Sequence, residues 1–253
     1  MHILETLSKA IETCSNFLWG WPMIIMLLGT HLYLTVRLRF PQRKIFKAIR
    51  LSLQSDKSAS GDVSQFGALA TALAATIGTG NIIGVATAIT LGGPGAVFWC
   101  WLTGVFGIAT KYAEGCLAVK YRTVDDKGQI SGGPMYYIEN GLGRAYRPLA
   151  IAFAFFGVLV AYFGIGTFAQ VNSIVQITQL NAGIPVEYTA VVLTILVAAI
   201  TLGGLQSIAK TASKVVPAMA VIYMASTLGF LVIFADKVPG AIAEVFYDAF
   251  HPT

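Results

Sequence analysis

Charged side chains are scarce in this 253-residue sequence, where Asp, Glu, Lys and Arg together make up 11%. A soluble domain carries about 25% of these residues, so the shortage excludes an ordinary soluble globule. Cysteine occurs only three times, at Cys14, Cys100 and Cys116, and no CxxC spacing is present, which excludes a common zinc pattern. Cys100 and Cys116 fall in apolar runs, and we expect them to be small buried hydrophobic residues.

Groupings that support catalysis are missing as well. The sequence has three histidines, and it shows no serine–histidine–acid set and no pocket-forming pair of carboxylates. We therefore predict that the protein is not an enzyme. The net charge of +5 would suit nucleic acid, but the basic residues lie in short stretches between apolar segments. Membrane proteins space their charges in this way, so we expect a lipid bilayer as the partner and no nucleic acid.

Long apolar runs are what the sequence has in abundance. Hydrophobic residues make up 56% of the chain, and the mean hydropathy is +0.71. A membrane-crossing helix needs about 20 mostly apolar residues. The pattern predicts an all-α polytopic membrane protein with six spans, at Phe17–Val36, Phe66–Leu91, Ala96–Tyr121, Leu149–Ile177, Tyr188–Leu202 and Val215–Ala235.

The basic residues predict the orientation of these spans. The loops after the first, third and fifth spans hold 14 of the 17 lysines and arginines. Because such residues stay on the cytoplasmic side, we expect the amino terminus outside the cell inner membrane. The basic segment 37–50 is typical of an interfacial helix on anionic lipid. The polar stretch 54–61 predicts a boundary between a region 1–60, with the first helix and this basic loop, and a region 61–253.

The second span contains the motif most informative about function. It carries no charge, yet Gly78, Thr79, Gly80 and Asn81 lie near its middle. Each glycine weakens a helix by roughly 1 kcal/mol relative to alanine, and an amide is poorly solvated by hydrocarbon. We therefore predict a broken helix at 76–81, where free carbonyls coordinate a cation and free N–H groups hold a carboxylate. Close helix packing through Gly80 and Gly84 is the alternative interpretation.

Three segments carry a resemblance to a known family. They are GTGNIIGVATAITLGGPGAVFWCW at 78–101, KYAE at 111–114 and SGGPMYYIENGLG at 131–143. With them the sequence resembles the alanine or glycine:cation symporter family along essentially its whole length. The resemblance implies inward symport of a small neutral amino acid with sodium, or in some members a proton.

The resemblance also implies a fold. The family has the inverted-repeat fold of the bacterial leucine transporter, preceded by one extra amino-terminal helix. This chain would supply that helix and the first five-helix repeat, while the second repeat is absent from it. Because family members are roughly twice as long, we expect a truncated fragment that needs the missing second repeat of the same protein as its partner.

Substrate contacts follow from the resemblance. The backbone N–H groups of Thr79 and Gly80 would receive the substrate carboxylate, and the Thr76 carbonyl would face the ammonium group. Gln170 is the best candidate for a side chain that faces the substrate. A hydrogen bond to a neighbouring helix is the alternative for Gln170, and it is the favoured interpretation for Asn172.

Sodium, the expected coupling ion, takes oxygen ligands in the implied site. The Thr76 carbonyl and the Asn81 side-chain oxygen would line one sodium site, and the carbonyls of Ala74 and Ile77 would form part of a second. A hard cation prefers such oxygen ligands.

Two other polar features receive structural interpretations. Lys111 and Glu114 share a helix face in the third span, and we predict a structural ion pair, with a role in gating as the alternative. His31 is expected to be an interior histidine with a hydrogen-bond partner. Besides symport, two functions stay open: a channel, and a non-transporting half-protein that packs against a partner.

Overall fold

The computed structural model describes residues 2–54, 63–124, 126, 128, 130–163 and 165–251. Within them the chain is helical apart from connecting segments and one short hairpin, in which β1 (Thr123–Val124) pairs antiparallel with β2 (Ile130–Ser131). The helices are α1 His2–Trp19, α2 Trp21–Arg37, α3 Ile45–Leu53, α4 Gln65–Thr76, α5 Ile83–Gly92, α6 Gly95–Lys120, α7 Pro134–Leu142, α8 Arg147–Phe163, α9 Ile165–Ala182, α10 Val186–Thr201, α11 Gly204–Ile233 and α12 Val238–Phe250.

Each predicted span coincides with a helix or a helix pair. By length and composition, three helical stretches of the described chain could cross a membrane: Glu5–Arg37, Arg144–Ala182 and Gly204–Ile233. The bent pair α4 and α5 makes a fourth if it is one span. The third and fifth predicted spans correspond to α6, with 26 residues, and to α10, with 16. These apolar helices are those of a multi-pass membrane protein.

Several predicted boundaries differ from the structure. The first predicted span crosses an interruption at Gly20, and α2 begins after it because Pro22 fits a first helical turn, where no N–H donor is required. The fourth predicted span covers both α8 and α9. Helices α1 and α12 were not predicted. Most of the predicted boundary at 54–61 lies outside the described residues.

Small residues bring α4 and α11 together. Ala70, Ala212 and Val216 form a buried cluster, and Ala70 is only 2% exposed. The α-carbon of Gly67 also approaches α11, since a Cβ added there would lie 3.9 Å from the Cβ of Ala209. Small side chains let two helix backbones approach closely in a membrane protein. This contact fixes the first half of the bent pair.

Polar contacts join α2 to α6. The Nδ1 atom of His31 lies 2.7 Å from Oγ1 of Thr110, so the predicted hydrogen-bond partner is confirmed, and the histidine itself is half-buried. Thr35, one turn further along α2, is 1% exposed. On α6 itself, Nζ of Lys111 lies 2.9 Å from Oε2 of Glu114, which confirms the predicted ion pair.

Helix α12 packs on the first turns of α6. The rings of Phe98 and Trp99 meet those of Phe246 and Phe250 with centroid separations of 5.3 to 6.1 Å. Trp99 Nε1 donates to the Ala249 carbonyl at 3.2 Å. The backbone of α12 therefore lies directly against α6.

Most large apolar side chains face outward. Leu91, Leu180 and Leu202 are 84 to 87% exposed, whereas the buried hydrophobic residues are mainly alanines. Cys14, Cys100 and Cys116 are free and exposed, so the expectation that Cys100 and Cys116 are buried was wrong. Both lie on outward faces of α6 that no other described element covers. In a membrane, lipid or protein covers such surface.

Candidate functional site

The second predicted span is interrupted at its centre. Helix α4 ends at Thr76, α5 begins at Ile83, and the two axes differ by 61°. Between them, Gly78 is extended, with φ −146° and ψ −169°, and Thr79–Asn81 form one 3-10 turn. The interruption coincides with the glycine-rich motif that predicted it.

Three consecutive amides at this break are free. The last helical bond before the break runs from Ile77 N to Leu73 O at 2.7 Å, and the next donor in the chain is Asn81 N, which reaches Gly78 O at 3.1 Å. Within the described residues, the N–H groups of Gly78, Thr79 and Gly80 donate to no backbone carbonyl. Consecutive free amides in a bent backbone form a concavity that favours an anion.

Four consecutive carbonyls beside these amides lack their helical partners. In a continuous helix, the carbonyls of Ala74, Ala75, Thr76 and Ile77 would accept from the amides four positions later. Three of those amides are the free ones, and the fourth donates to Gly78 instead. The main-chain carbonyl oxygens of Ala74, Thr76 and Ile77, which were predicted as ligands, are thus all available to coordinate a cation.

Of the polar side chains at the break, that of Thr76 is already hydrogen-bonded and that of Asn81 is not. Thr76 Oγ1 donates back to the Ala72 carbonyl at 2.8 Å, so only the main-chain oxygen of Thr76 is open to a ligand. Asn81 is exposed, and its side-chain amide makes no hydrogen bond among the described residues. Its oxygen is available to a cation.

Gln170 lies against the break. A Cβ built on Gly78 would sit 2.9 Å from Nε2 of Gln170, which places this side chain of α9 directly beside the free amides. Gln170 makes no hydrogen bond to a described residue. Asn172 differs, because its Oδ1 accepts from Gln176 Nε2 at 3.4 Å within α9. No bond from Asn172 to another helix occurs among the described residues, so the favoured interpretation of Asn172 stays a prediction.

The halves of the broken helix are held by different neighbours. Helix α4 packs on α11, α5 packs on α6, and α9 contacts the 3-10 turn between them. The polar groups of the break therefore lie where three packing contacts meet.

Main-chain and amide oxygens are the candidate cation ligands at the break. No group of three or more His, Cys, Asp or Glu side chains that could hold a metal occurs in the described parts of the chain. Two free groups were missed by the sequence reasoning, namely the N–H of Gly78 and the carbonyl of Ala75. Once the end of α4 at Thr76 is known, the hydrogen bonds that a continuous helix would make from residue i to residue i−4 across Gly78 and Gly80 can be counted, and the two missing ones identify these groups.

Comparison with known proteins agrees with the resemblance. The sequence model of the sodium:alanine symporter family matches residues 4–253. An uncharacterized transporter of Haemophilus influenzae is 52% identical over 248 residues, which cover 98% of this chain and 54% of that protein.

Two named relatives extend the comparison. The sodium/alanine symporter AgcS of Methanococcus maripaludis is 48% identical over 95% of this chain and 54% of its own length. A putative sodium/proton-dependent alanine carrier protein, YrbD of Bacillus subtilis, is 40% identical over 95% of this chain and 49% of its own length. The chain spans about half the length of the curated relatives that it matches.

Proposed function

The chain belongs to the sodium:alanine symporter family, and from this premise we propose that it serves sodium-coupled symport of a small neutral amino acid, alanine or glycine, across the cell inner membrane. One observation carries the proposal: three free amides and four free carbonyls adjoin in the middle of an uncharged, bent helix pair. A zwitterionic amino acid and a cation need both kinds of group at one place.

The substrate's two ends fit different parts of the break. In the proposal, the N–H groups of Thr79 and Gly80 receive the carboxylate, and the Thr76 carbonyl accepts from the ammonium group. The N-terminal end of α5 adds the favourable end of a helix dipole to the carboxylate side. Gln170 would face the substrate, and its contact with Gly78 supports that role.

Sodium would bind on the carbonyl side of the break. The proposed ligands are the Thr76 carbonyl and the Asn81 side-chain oxygen for one ion, with the Ala74 and Ile77 carbonyls in a second site. These uncharged oxygens suit a hard monovalent cation. The cation's charge would offset the carboxylate nearby, so each ligand would raise the affinity for the other.

The arrangement proposed for the fold is the leucine-transporter type. Region 1–60 would be the extra amino-terminal helix with its basic loop, region 61–253 the first five-helix repeat, and the amino terminus would lie outside. A second, inverted repeat would complete the ligand shells. The broken α4–α5 pair supports this arrangement, because such folds bind ligands at discontinuous helices.

A flux experiment tests the proposal. The full-length protein is reconstituted in liposomes, and uptake of radiolabelled alanine and glycine is measured under an inward sodium gradient, with potassium as the control and a pH gradient as a second arm. Saturable uptake that requires sodium supports symport. Uptake driven by the pH gradient alone would mean that the coupling ion is a proton and not sodium. An uncoupled sodium current would indicate a channel. The absence of both flux and sodium-dependent alanine binding rejects the proposal.

A further inference from the structure

The segment between α2 and α4 begins with an unusual turn. Arg39 and Phe40 are consecutive non-glycine residues with φ of 57° and 58°. L-residues rarely adopt this left-handed conformation, and two in succession are rarer still. The turn is held by the hydrogen bonds from Phe40 N to Thr35 O at 2.9 Å and from Arg39 N to Val36 O at 3.0 Å. It redirects the chain sharply as α2 ends.

The side chain of Gln42 fixes the direction that the chain takes next. Its Nε2 atom donates to Thr35 Oγ1 at 3.2 Å and to the Val105 carbonyl of α6 at 3.0 Å. The turn is thus tied to both α2 and α6, and α3 starts from a defined position.

Helix α3 exposes an apolar face with cations at its edge. Phe46, Ile49 and Leu53 recur at the spacing of one helix face and are 84%, 51% and 63% exposed. Lys47 and Arg50 are three residues apart on the adjoining face, and both are exposed. An exposed helix with this division is typical of a helix that lies in a membrane interface.

The charge along α3 and the segment that leads into it has one sign. Residues 37–53 include six lysines and arginines, and no acidic residue occurs between Glu12 and Leu53. Among the described residues, none of these six cations forms an ion pair. As far as the described residues extend, this surface therefore lacks an internal counter-charge.

We propose that α3 binds an anionic phospholipid. Phe46, Lys47, Arg50, Leu51 and Gln54 line a surface cavity of about 530 Å³. The phosphate of the headgroup lies between Lys47 and Arg50, and the acyl chains continue along the apolar face of α3. A lipid fits better than an acidic protein because α3 connects the stretch Glu5–Arg37 to the bent pair, and both are apolar enough to cross a membrane. The inference goes beyond amino-acid transport and does not depend on it.

Lipid titration tests the site. Purified protein is titrated with phosphatidylglycerol and with phosphatidylcholine, and bound lipid is counted by native mass spectrometry. We expect a preference for phosphatidylglycerol that the Lys47→Gln, Arg50→Gln double variant loses, by about fivefold per charge. The charge-conserving variant Lys47→Arg, Arg50→Lys should retain it. The matched control Lys210→Gln, Lys214→Gln, which also removes two exposed cations, should retain it too.

A second measurement keeps the test independent of folding defects. A fluorophore is attached to Phe46→Cys after the three native cysteines are replaced by serine, and quenching by nitroxide-labelled lipid is recorded in vesicles with and without phosphatidylglycerol. Strong quenching at position 46, and weak quenching at Ala48→Cys on the opposite, exposed face of α3, supports the proposal. The proposal is overturned if the glutamine variant binds phosphatidylglycerol as well as the unchanged protein does, or if the lysine control loses as much binding. It is also overturned if the label at position 46 stays in water and only an added acidic peptide shields it.

Discussion

Gln170 of α9 lies so close to Gly78 of the bent helix pair that a Cβ at position 78 would come within 2.9 Å of its Nε2 atom. The contact joins a side chain far along the chain to the first free amide of the break. Position 78 of the proposed substrate site therefore has to lack a side chain so that Gln170 fits beside it, and glycine also leaves the backbone flexible there.

Replacing Gly78 tests this contact. In Gly78→Ala the new methyl group displaces the Gln170 amide, and because that side chain is flexible we expect a folded protein with alanine affinity lowered by about tenfold, or roughly 1.4 kcal/mol. Combined with Gln170→Ala, the two losses should not add, with a coupling of about 0.5–3 kcal/mol. Gly84→Ala is the matched control, since a Cβ there meets nothing within 4 Å. Simple additivity in binding titrations would remove Gln170 from the site.

Asn81 should control the response to sodium. Asn81→Ala removes the side-chain oxygen proposed as a ligand, and losing a bond to a charged group costs about 1.5–3 kcal/mol, or roughly 10–100-fold in sodium affinity. Sodium titrations of alanine binding measure the change. Asn172→Ala provides the control, because Asn172 bonds within α9. An unchanged sodium response in Asn81→Ala would contradict the assignment.

The hydrogen bond between His31 and Thr110 should contribute measurably to the docking of α2 on α6. Thr110→Val removes the hydroxyl partner at 2.7 Å, and interhelical bonds of this kind contribute about 0.6 kcal/mol on average and up to about 1.7. Thermal unfolding in detergent reports the loss. Thr90→Val should be near neutral, since that hydroxyl bonds only within its own helix, to Ala86 O at 2.9 Å. A similar loss in both variants would mean that threonine removal is harmful in general.

The junction of α6 and α12 should not tolerate a side chain at Gly95. An added Cβ would lie 2.5 Å from both Ala249 N and Asp248 C, which are backbone atoms that cannot rotate away. We expect Gly95→Ala to destabilise the fold by about 1–3 kcal/mol, as overpacking does. Gly104→Ala in the same helix meets nothing within 4 Å and should be neutral or stabilising. Equal melting temperatures for the two variants would show that α12 is not packed on Gly95.

The sequence predicted the broken helix because its cause is local. Gly78 and Gly80 weaken helical bonding where they stand, so periodicity and propensity suffice. The contact of Gln170 with Gly78 is tertiary, and only the family resemblance pointed to Gln170. Helix α12 escaped prediction because it has 13 residues, too few for a search that looks for spans.

Burial was the least predictable property. Apolar runs were taken as buried, but in a membrane protein an apolar side chain can face lipid, so composition does not separate core from surface. Cys100 and Cys116 lie in apolar runs and are exposed, while the packed interface of α4 with α11 uses Ala70 and Ala212.

The attachment of the two half-helices to different neighbours has a mechanical consequence. Because α4 is fastened to α11 and α5 to α6, any sliding of α11 past α6 must be absorbed by the few residues of the break. Such sliding changes the spacing between the free carbonyls and the free amides. In the proposed symporter, an ion and a solute that bridge these groups would hold the two half-helices at one spacing, and their departure would free that spacing to change.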